Sequence, residues 1–166
     1  MKHCYECGTA LTKKECEHEG LVPFCDSCNI FRFPIFNTAV SCIVFNKTED
    51  KILLIQQYGR PDYILVAGYI SQGESAEQTV QREVKEETGL SVISYRYMKS
   101  EYFEKSNTLI FNYCCVVDSE DLSHTNHEID KADWFNINDV KDAIKKDSLA
   151  EKFLLNALNC TSSDMN

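Results

Sequence analysis

The sequence predicts an α/β protein in two parts: a mixed domain of strands and helices, preceded by a small cysteine-rich module. Three observations predict it. Residues 1–34 hold five of the nine cysteines and show little helical periodicity. From residue 39 onward, β-rich apolar runs alternate with polar turns. Among those runs lies one sharply bounded amphipathic helix, with further helical pattern only near the C-terminus.

Taken in order, "AVSCIVFN" and "KILLIQQ" are strand-like runs joined by the polar turn "KTED". A third run, "YILVAGYI", leads into the loop "SQGES". Ser75 is placed to cap a helix, with Gln78 three residues on to complete a capping box. Gly89 stands where a left-handed residue closes that helix. Next, "SVISYRYMKSEYF" and "NTLIFNYCCVVD" form two long strands of a hairpin, and "KADWFNI" is a sixth strand. Residues 138–159 carry one or two terminal helices, with Val140, Ile144, Phe153, Leu154 and Leu158 as their apolar positions. The expected organisation is a module over 1–34, a main domain over 35–160, and a frayed tail over 161–166.

Composition excludes several classes. The 166 residues suffice for one packed domain with a small appendage, and 43% apolar content argues against disorder. No apolar stretch approaches the roughly 18 residues of a membrane helix. The opening "MKHCYECG" has no apolar signal region. A formal charge of −9 does not favour a duplex nucleic-acid binder, because neutralising phosphates requires a basic surface. Nine cysteines, an odd number with several in strand-like runs, argue for a reduced, cytoplasmic protein rather than a disulfide framework.

The module has its own logic. Cys4-x2-Cys7 is followed, seventeen residues later, by Cys25-x2-Cys28. Two such pairs converge into a closed four-sulfur site, which suits one structural Zn2+. An iron centre of rubredoxin type uses the same ligands, and Cys16 or His18 could replace one of them. So short a segment cannot bury enough apolar surface to fold unaided, so a metal supplies what the core lacks.

The helix raises a different question, since "REVKEETGL" crowds Glu83, Glu86 and Glu87 together. On a helical wheel with Arg82 at zero, Glu86 falls near 40°, Glu83 near 100° and Glu87 near 140°, at about 100° per residue. Ala76, Val80 and Val84 span about 120° to 200° on the same wheel, so Glu87 overlaps the apolar edge. Carboxylates there suffer desolvation and mutual repulsion unless cations neutralise them. Grouped hard oxygens suit Mg2+ or Mn2+, which commonly complete their shells with substrate phosphates.

Reading outward from these residues gives Gly68, five residues, Glu74, seven residues, then Arg82-Glu83-Val84-Lys85-Glu86-Glu87-Thr88-Gly89-Leu90. This run resembles the Nudix box, G-x5-E-x7-R-E-U-x-E-E-x-G-U with U aliphatic, at every fixed position. The order of cysteine module, strands, box and "EIDKADWF" is similar to the zinc-ribbon and Nudix portion of NADH pyrophosphatases. Their S-Q-P-W-P-F-P signature has the counterpart "SEYFEKS" here, which keeps Ser100, places Phe103 at the tryptophan position and lacks the prolines.

The resemblance implies an α/β/α sandwich behind a zinc ribbon, and a metal-dependent pyrophosphohydrolase. Its substrate would be a small nucleoside diphosphate derivative such as NADH, ADP-ribose or a related dinucleotide. It implies Glu83, Glu86, Glu87, Glu128 and the Gly68 carbonyl as ligands of Mg2+ or Mn2+, with one glutamate as base. Arg82 would orient a glutamate, and Glu74 would steady the arginine or its loop. Tyr58, Tyr102 and Phe103 are candidates for stacking on a base or nicotinamide ring. Trp134 reads as core, and His124 and His127 as solvated loop residues. By analogy the chain would form a homodimer. The alternative is a non-catalytic nucleotide sensor acting through the ribbon.

Overall fold

The computed structural model describes residues 2–163, the last three by their backbone alone. It divides into two compact units, Met1–Phe36 and Asn37–Asn166.

The first unit is a three-stranded antiparallel sheet of β1 (Thr12–Cys16), β2 (Gly20–Cys25) and β3 (Ile30–Phe31). Its core is small: among the described residues, Cys4, Val22, Phe24 and Cys25 are the buried apolar ones. Phe24 meets Phe31 edge-on at 5.0 Å, and Lys14 lies over the Phe24 ring. Cys4 and Cys7 bracket a turn ahead of β1, and Cys25 and Cys28 lie at the turn that joins β2 to β3.

The second unit contains β4 (Asn37–Phe45), β5 (Lys51–Gln57), β6 (Val66–Tyr69), α1 (Ala76–Thr88), β7 (Val92–Phe103), β8 (Thr108–Val117), β9 (Ile129–Asn136), α2 (Val140–Ala143) and α3 (Leu149–Ser163). The strands form one mixed sheet in the order β7-β8-β4-β5-β9, with β4 and β8 parallel and β6 added beside β4. β7 and β8 make the expected hairpin. The helix α3 reaches Ser163, so part of the expected tail is helical; residues 164–166 lie outside the described residues.

Both faces of the sheet are covered, which explains the near-continuous apolar runs. Alternate residues divide between two cores. Val40, Cys42, Val44, Leu53 and Ile55 pack with Val80 and Val84 of α1. Ile43, Phe45, Ile52 and Leu54 pack with Val140 of α2, with Ile144 just after it, and with Phe153 and Leu154 of α3. Full burial of each such side chain contributes about 1.5–3 kcal/mol. The architecture is therefore the expected α/β/α sandwich, and Trp134 packs against the first core with its indole N–H on the Glu120 carbonyl.

A change of strand partner positions the site. β5 pairs with β4 only at Val44 and Phe45, and β6 pairs with β4 from Ala39 to Cys42. The same edge of β4 is thus handed from one strand to another. The register sets Gly68 opposite Val40, within the stretch of β4 that β6 covers.

Helix α1 ends as its residues dictate. Ser75 and Gln78 form the reciprocal capping box, and Gly89 adopts φ 76° with its N–H on the Lys85 carbonyl. A side chain at Gly89 would also meet His124, with Cβ to Cβ at 2.6 Å. Gly89→Ala therefore combines left-handed strain with a clash. It is expected to lower stability by about 2 kcal/mol or more. Urea unfolding would show this as a reduced midpoint at unchanged slope.

Candidate functional site

Burial along α1 follows the helical wheel. Glu87 is 5% exposed, the Glu83 side chain 13% and the Glu86 side chain 57%. Glu87 sits in the seam between helix and sheet, where Gln57 of β5 donates to its Oε1 at 2.9 Å. Its Oε2 is buried and has no hydrogen-bond partner among the described residues. Burial foremost, with the charges of Glu83, Glu128 and Glu86 added, pushes its carboxyl up to about 7 despite the Gln57 bond. Glu83 is raised as well, again by burial, against the pull of Arg82.

Arg82 holds the group together. It grips Glu74 with two bonds, at 2.7 and 2.9 Å, and reaches Glu83 at 2.7 Å, Glu86 at 3.0 Å and the Tyr69 carbonyl at 3.1 Å. Paired with this guanidinium, Glu74 is drawn down to about 2. Glu74 also accepts from the Ser71 N–H and the Thr79 hydroxyl, so it ties the loop before α1 to the arginine. With its donors committed to protein acceptors, Arg82 positions carboxylates.

Gly68 faces Glu83 directly. A Cβ on Gly68 would lie 1.9 Å from the Glu83 carboxyl carbon. Only a residue without a side chain leaves room here for the Glu83 carboxylate against the strand. On the far side, the Asn126 N–H donates to the Glu87 carbonyl at 3.0 Å, which anchors the loop carrying Glu128 to the end of α1.

These groups open on a cleft of about 630 Å3. Arg82, Glu83, Glu87, Glu128 and Gly68 line its acidic end, and Tyr58 and Phe103 also line it. Glu86 is not on the wall; it stands outside and is joined to the group through Arg82. Tyr102 does not line the cleft either. Neighbouring residues of a strand face opposite ways, and its hydroxyl donates to Asn107 at the hairpin turn. Sequence reasoning missed the wall supplied by Leu149, Ala150 and Phe153, which α3 brings from far along the chain, and missed Gln57 as the partner of Glu87.

A buried carboxylate oxygen without a partner, a second carboxylate beside it and the glycine backbone packed against that carboxylate make a set of hard donors. They fit Mg2+ or Mn2+ better than any soft metal.

The cysteine module offers the opposite chemistry. The sulfurs of Cys4, Cys7, Cys25 and Cys28 all lie within 4.8 Å of one another, with Cys7 to Cys25 at 3.4 Å and Cys4 to Cys28 at 4.0 Å. A tetrahedron of sulfurs at the zinc–thiolate bond length has edges of about 3.8 Å. Cys16 and His18 are outside this group, and His18 pairs with Glu17 in an exposed turn. Bonds from Thr9 draw Cys7 down to about 6, whereas Cys7 and Cys25 push Cys28 up to about 12. Four thiols this close resist ionising together, and a cation at their centre relieves that conflict.

The α/β/α sandwich and the carboxylate-rich cleft beside one helix define an α/β protein with a candidate site for divalent ions. The chain belongs to the Nudix hydrolase family, for the NUDIX domain matches residues 36–156. It is similar to the NAD-capped RNA hydrolase NudC of Vibrio atlanticus, 27% identical over 163 residues, covering 96% of this chain and 58% of that protein. NudC of Mycobacterium tuberculosis is 34% identical over 115 residues, 68% of this chain and 36% of that protein. The chain thus spans about three-fifths of the length of the NudC proteins of Vibrio species that it matches. A crystal structure of a NUDIX hydrolase from Nitrosomonas europaea superposes with a TM-score of 0.70 at 19% identity, covering 96% of this chain and 91% of that one. The NUDIX domain of Shewanella oneidensis NrtR, complexed with ADP ribose, gives 0.61 at 19% identity, covering 81% and 91%. Structural likeness at such identities carries the fold alone.

The raised Glu87 carboxyl makes stability depend on pH. The folded state holds this proton more tightly than an ordinary carboxyl near 4.5 would. Its contribution is therefore fully present below that value and is lost as pH rises through about 7. Without added Mg2+ or Mn2+, Glu87→Gln is expected to be more stable than wild type at pH 8, by on the order of 2 kcal/mol, and no more stable at pH 4.5. Denaturant titrations at the two pH values measure the difference.

Proposed function

We propose that this protein is a Mg2+- or Mn2+-dependent pyrophosphohydrolase that opens the diphosphate linkage of a nucleoside diphosphate derivative such as NADH, ADP-ribose or a related dinucleotide. The observation that carries the reading is the unpartnered buried oxygen of Glu87 beside Glu83 and Gly68. Glu83, Glu86, Glu87, Glu128 and the Gly68 carbonyl would hold the ions, which supply charge neutralisation at the phosphates and a more acidic water. The chain's own residues do the positioning. Arg82 fixes Glu83 and Glu86, Gln57 fixes one Glu87 oxygen and leaves the other facing the site, and the Asn126 contact holds Glu128 near them.

Glu128, exposed and lining the cleft, and Glu87, whose carboxyl titrates near neutrality before any ion binds, are the two candidates for accepting the proton of the attacking water. Beyond the acidic end, the cleft is walled by Ile64, Leu65, Ile110 and Phe153, with Tyr58 and Phe103 at hand for an aromatic ring. This favours a neutral base or nicotinamide in that part of the cleft. The NudC relatives are named as hydrolases of NAD-capped RNA, and an NAD cap presents the same diphosphate linkage. A chain of net charge −9 offers little for the RNA beyond the cap. Zn2+ in the four-cysteine group would be structural, because four protein ligands leave no open position.

Incubating the purified protein with Mg2+ and a panel of dinucleotides separates an enzyme from a nucleotide sensor. The enzyme releases mononucleotide; a sensor binds without releasing it. Glu86→Gln and Glu87→Gln are each expected to lower turnover by about 10²- to 10⁴-fold with the circular dichroism spectrum unchanged. Near-wild-type rates in both variants would contradict the proposal.

A further inference from the structure

In the cysteine module, Arg32 is 3% exposed although it carries a full charge. It follows β3, and its backbone N–H is bonded to the Pro23 carbonyl at 2.7 Å. Its guanidinium lies against the first cysteine turn. One terminal nitrogen donates to the Tyr5 hydroxyl at 3.0 Å, the other pairs with Glu6, and Cζ lies over the Tyr5 ring, 4.5 Å from its centre. Tyr5 and Glu6 are the two residues between Cys4 and Cys7. The inner nitrogen, Nε, is buried and has no hydrogen-bond partner among the described residues. Its partners Tyr5 and Glu6 are the sequence neighbours of Cys4 and Cys7, so the guanidinium is packed against the turn that presents those two sulfurs.

A buried arginine with an unpartnered N–H is costly unless something negative lies beside it. The Glu6 carboxylate is half exposed and satisfies only the outer edge of the fork. A divalent ion bound by four thiolates carries a net charge of about −2, concentrated on the sulfurs. That is the missing negative charge on the inner side.

We propose that Arg32 is the counter-cation of the four-cysteine centre. Sealed behind the Cys4–Cys7 turn, it offsets the charge of a tetrathiolate-bound divalent ion and so sets how tightly that ion is held. The inference rests on the reading of this cluster as a metal site. Arg32 touches no ion; it is a positioning residue that acts through the sulfurs.

The test uses the full-length protein and transfer of Zn2+ to a chromophoric chelator at fixed pH. Wild-type protein purified with Zn2+ is expected to retain about one ion per chain through dialysis, and Cys25→Ser is expected to lose it. If wild type retains none, the metal-site reading fails, and the role of Arg32 fails with it. Given retention, Arg32→Met is expected to release Zn2+ about 10- to 100-fold faster, the range for losing a group that supports metal ligands. Arg32→Lys should recover part of the loss. Glu6→Gln separates charge from scaffolding. If Arg32 acts by its charge, removing its outer anion leaves release no faster than in wild type. If Arg32 only clamps the turn, Glu6→Gln releases as fast as Arg32→Met. That outcome, or an Arg32→Met protein that holds Zn2+ like wild type, would overturn the assignment. Should Arg32→Met fold poorly, the Arg32→Lys and Glu6→Gln pair still decides: charge compensation requires Glu6→Gln to release no faster than Arg32→Lys, and a Glu6→Gln protein that releases faster would overturn it.

Discussion

The burial of one carboxylate organises the second unit. Glu87 stands between α1 and the sheet, satisfied on one oxygen by Gln57 and on the other by nothing among the described residues. A lone charge in such a place is strongly disfavoured, and a second carboxylate at Glu83 makes it worse. The surrounding residues are arranged to keep it there. β4 changes partner from β5 to β6, and Gly68 of β6 leaves room for Glu83. The capping box and Gly89 fix the ends of α1, so its phase is set and Glu87 points inward. The fold accepts electrostatic strain at this point that a divalent ion would relieve.

Arg82 shows how charge is distributed around that point. It is the one cation on the cleft wall among the described residues, yet its bonds go to Glu74, Glu83, Glu86 and the Tyr69 carbonyl. Its charge lets three carboxylates gather without screening the fourth, Glu87. The two units then present contrasting donor sets within a single chain: oxygens for a hard ion in the second and sulfurs for a softer one in the first. In each, an arginine balances an excess of negative ligands. Arg82 does so by direct bonds to carboxylates, and Arg32 by lying behind the sulfurs.

Much of this was legible in the sequence, for physical reasons. Both ends of α1 were readable because capping is local chemistry of a few residues, and the burial order of Glu87, Glu83 and Glu86 followed from helical phase against Val80 and Val84. The cysteine spacing anticipated the convergence of four sulfurs. What escaped was tertiary. Gln57, Leu149, Ala150 and Phe153 reach the site through strand pairing and helix docking that no local pattern encodes. Tyr102 and Phe103 were indistinguishable as aromatics in sequence, and the pleat sends only Phe103 to the cleft wall. Arg32 reads as an ordinary surface cation until the fold buries it.

The reading as an enzyme depends on Glu83, Glu86, Glu87 and the Gly68 carbonyl forming a cradle for divalent ions. Anomalous diffraction from crystals grown with Mn2+ and a non-hydrolysable ADP-ribose analogue tests it most directly. A manganese peak is expected within bonding distance of the Glu87 oxygen that lacks a hydrogen-bond partner, with the diphosphate of the analogue completing the coordination. Saturating Mn2+ that leaves this position without a peak, while the analogue sits in the cleft with its diphosphate turned away from α1, would contradict the cradle.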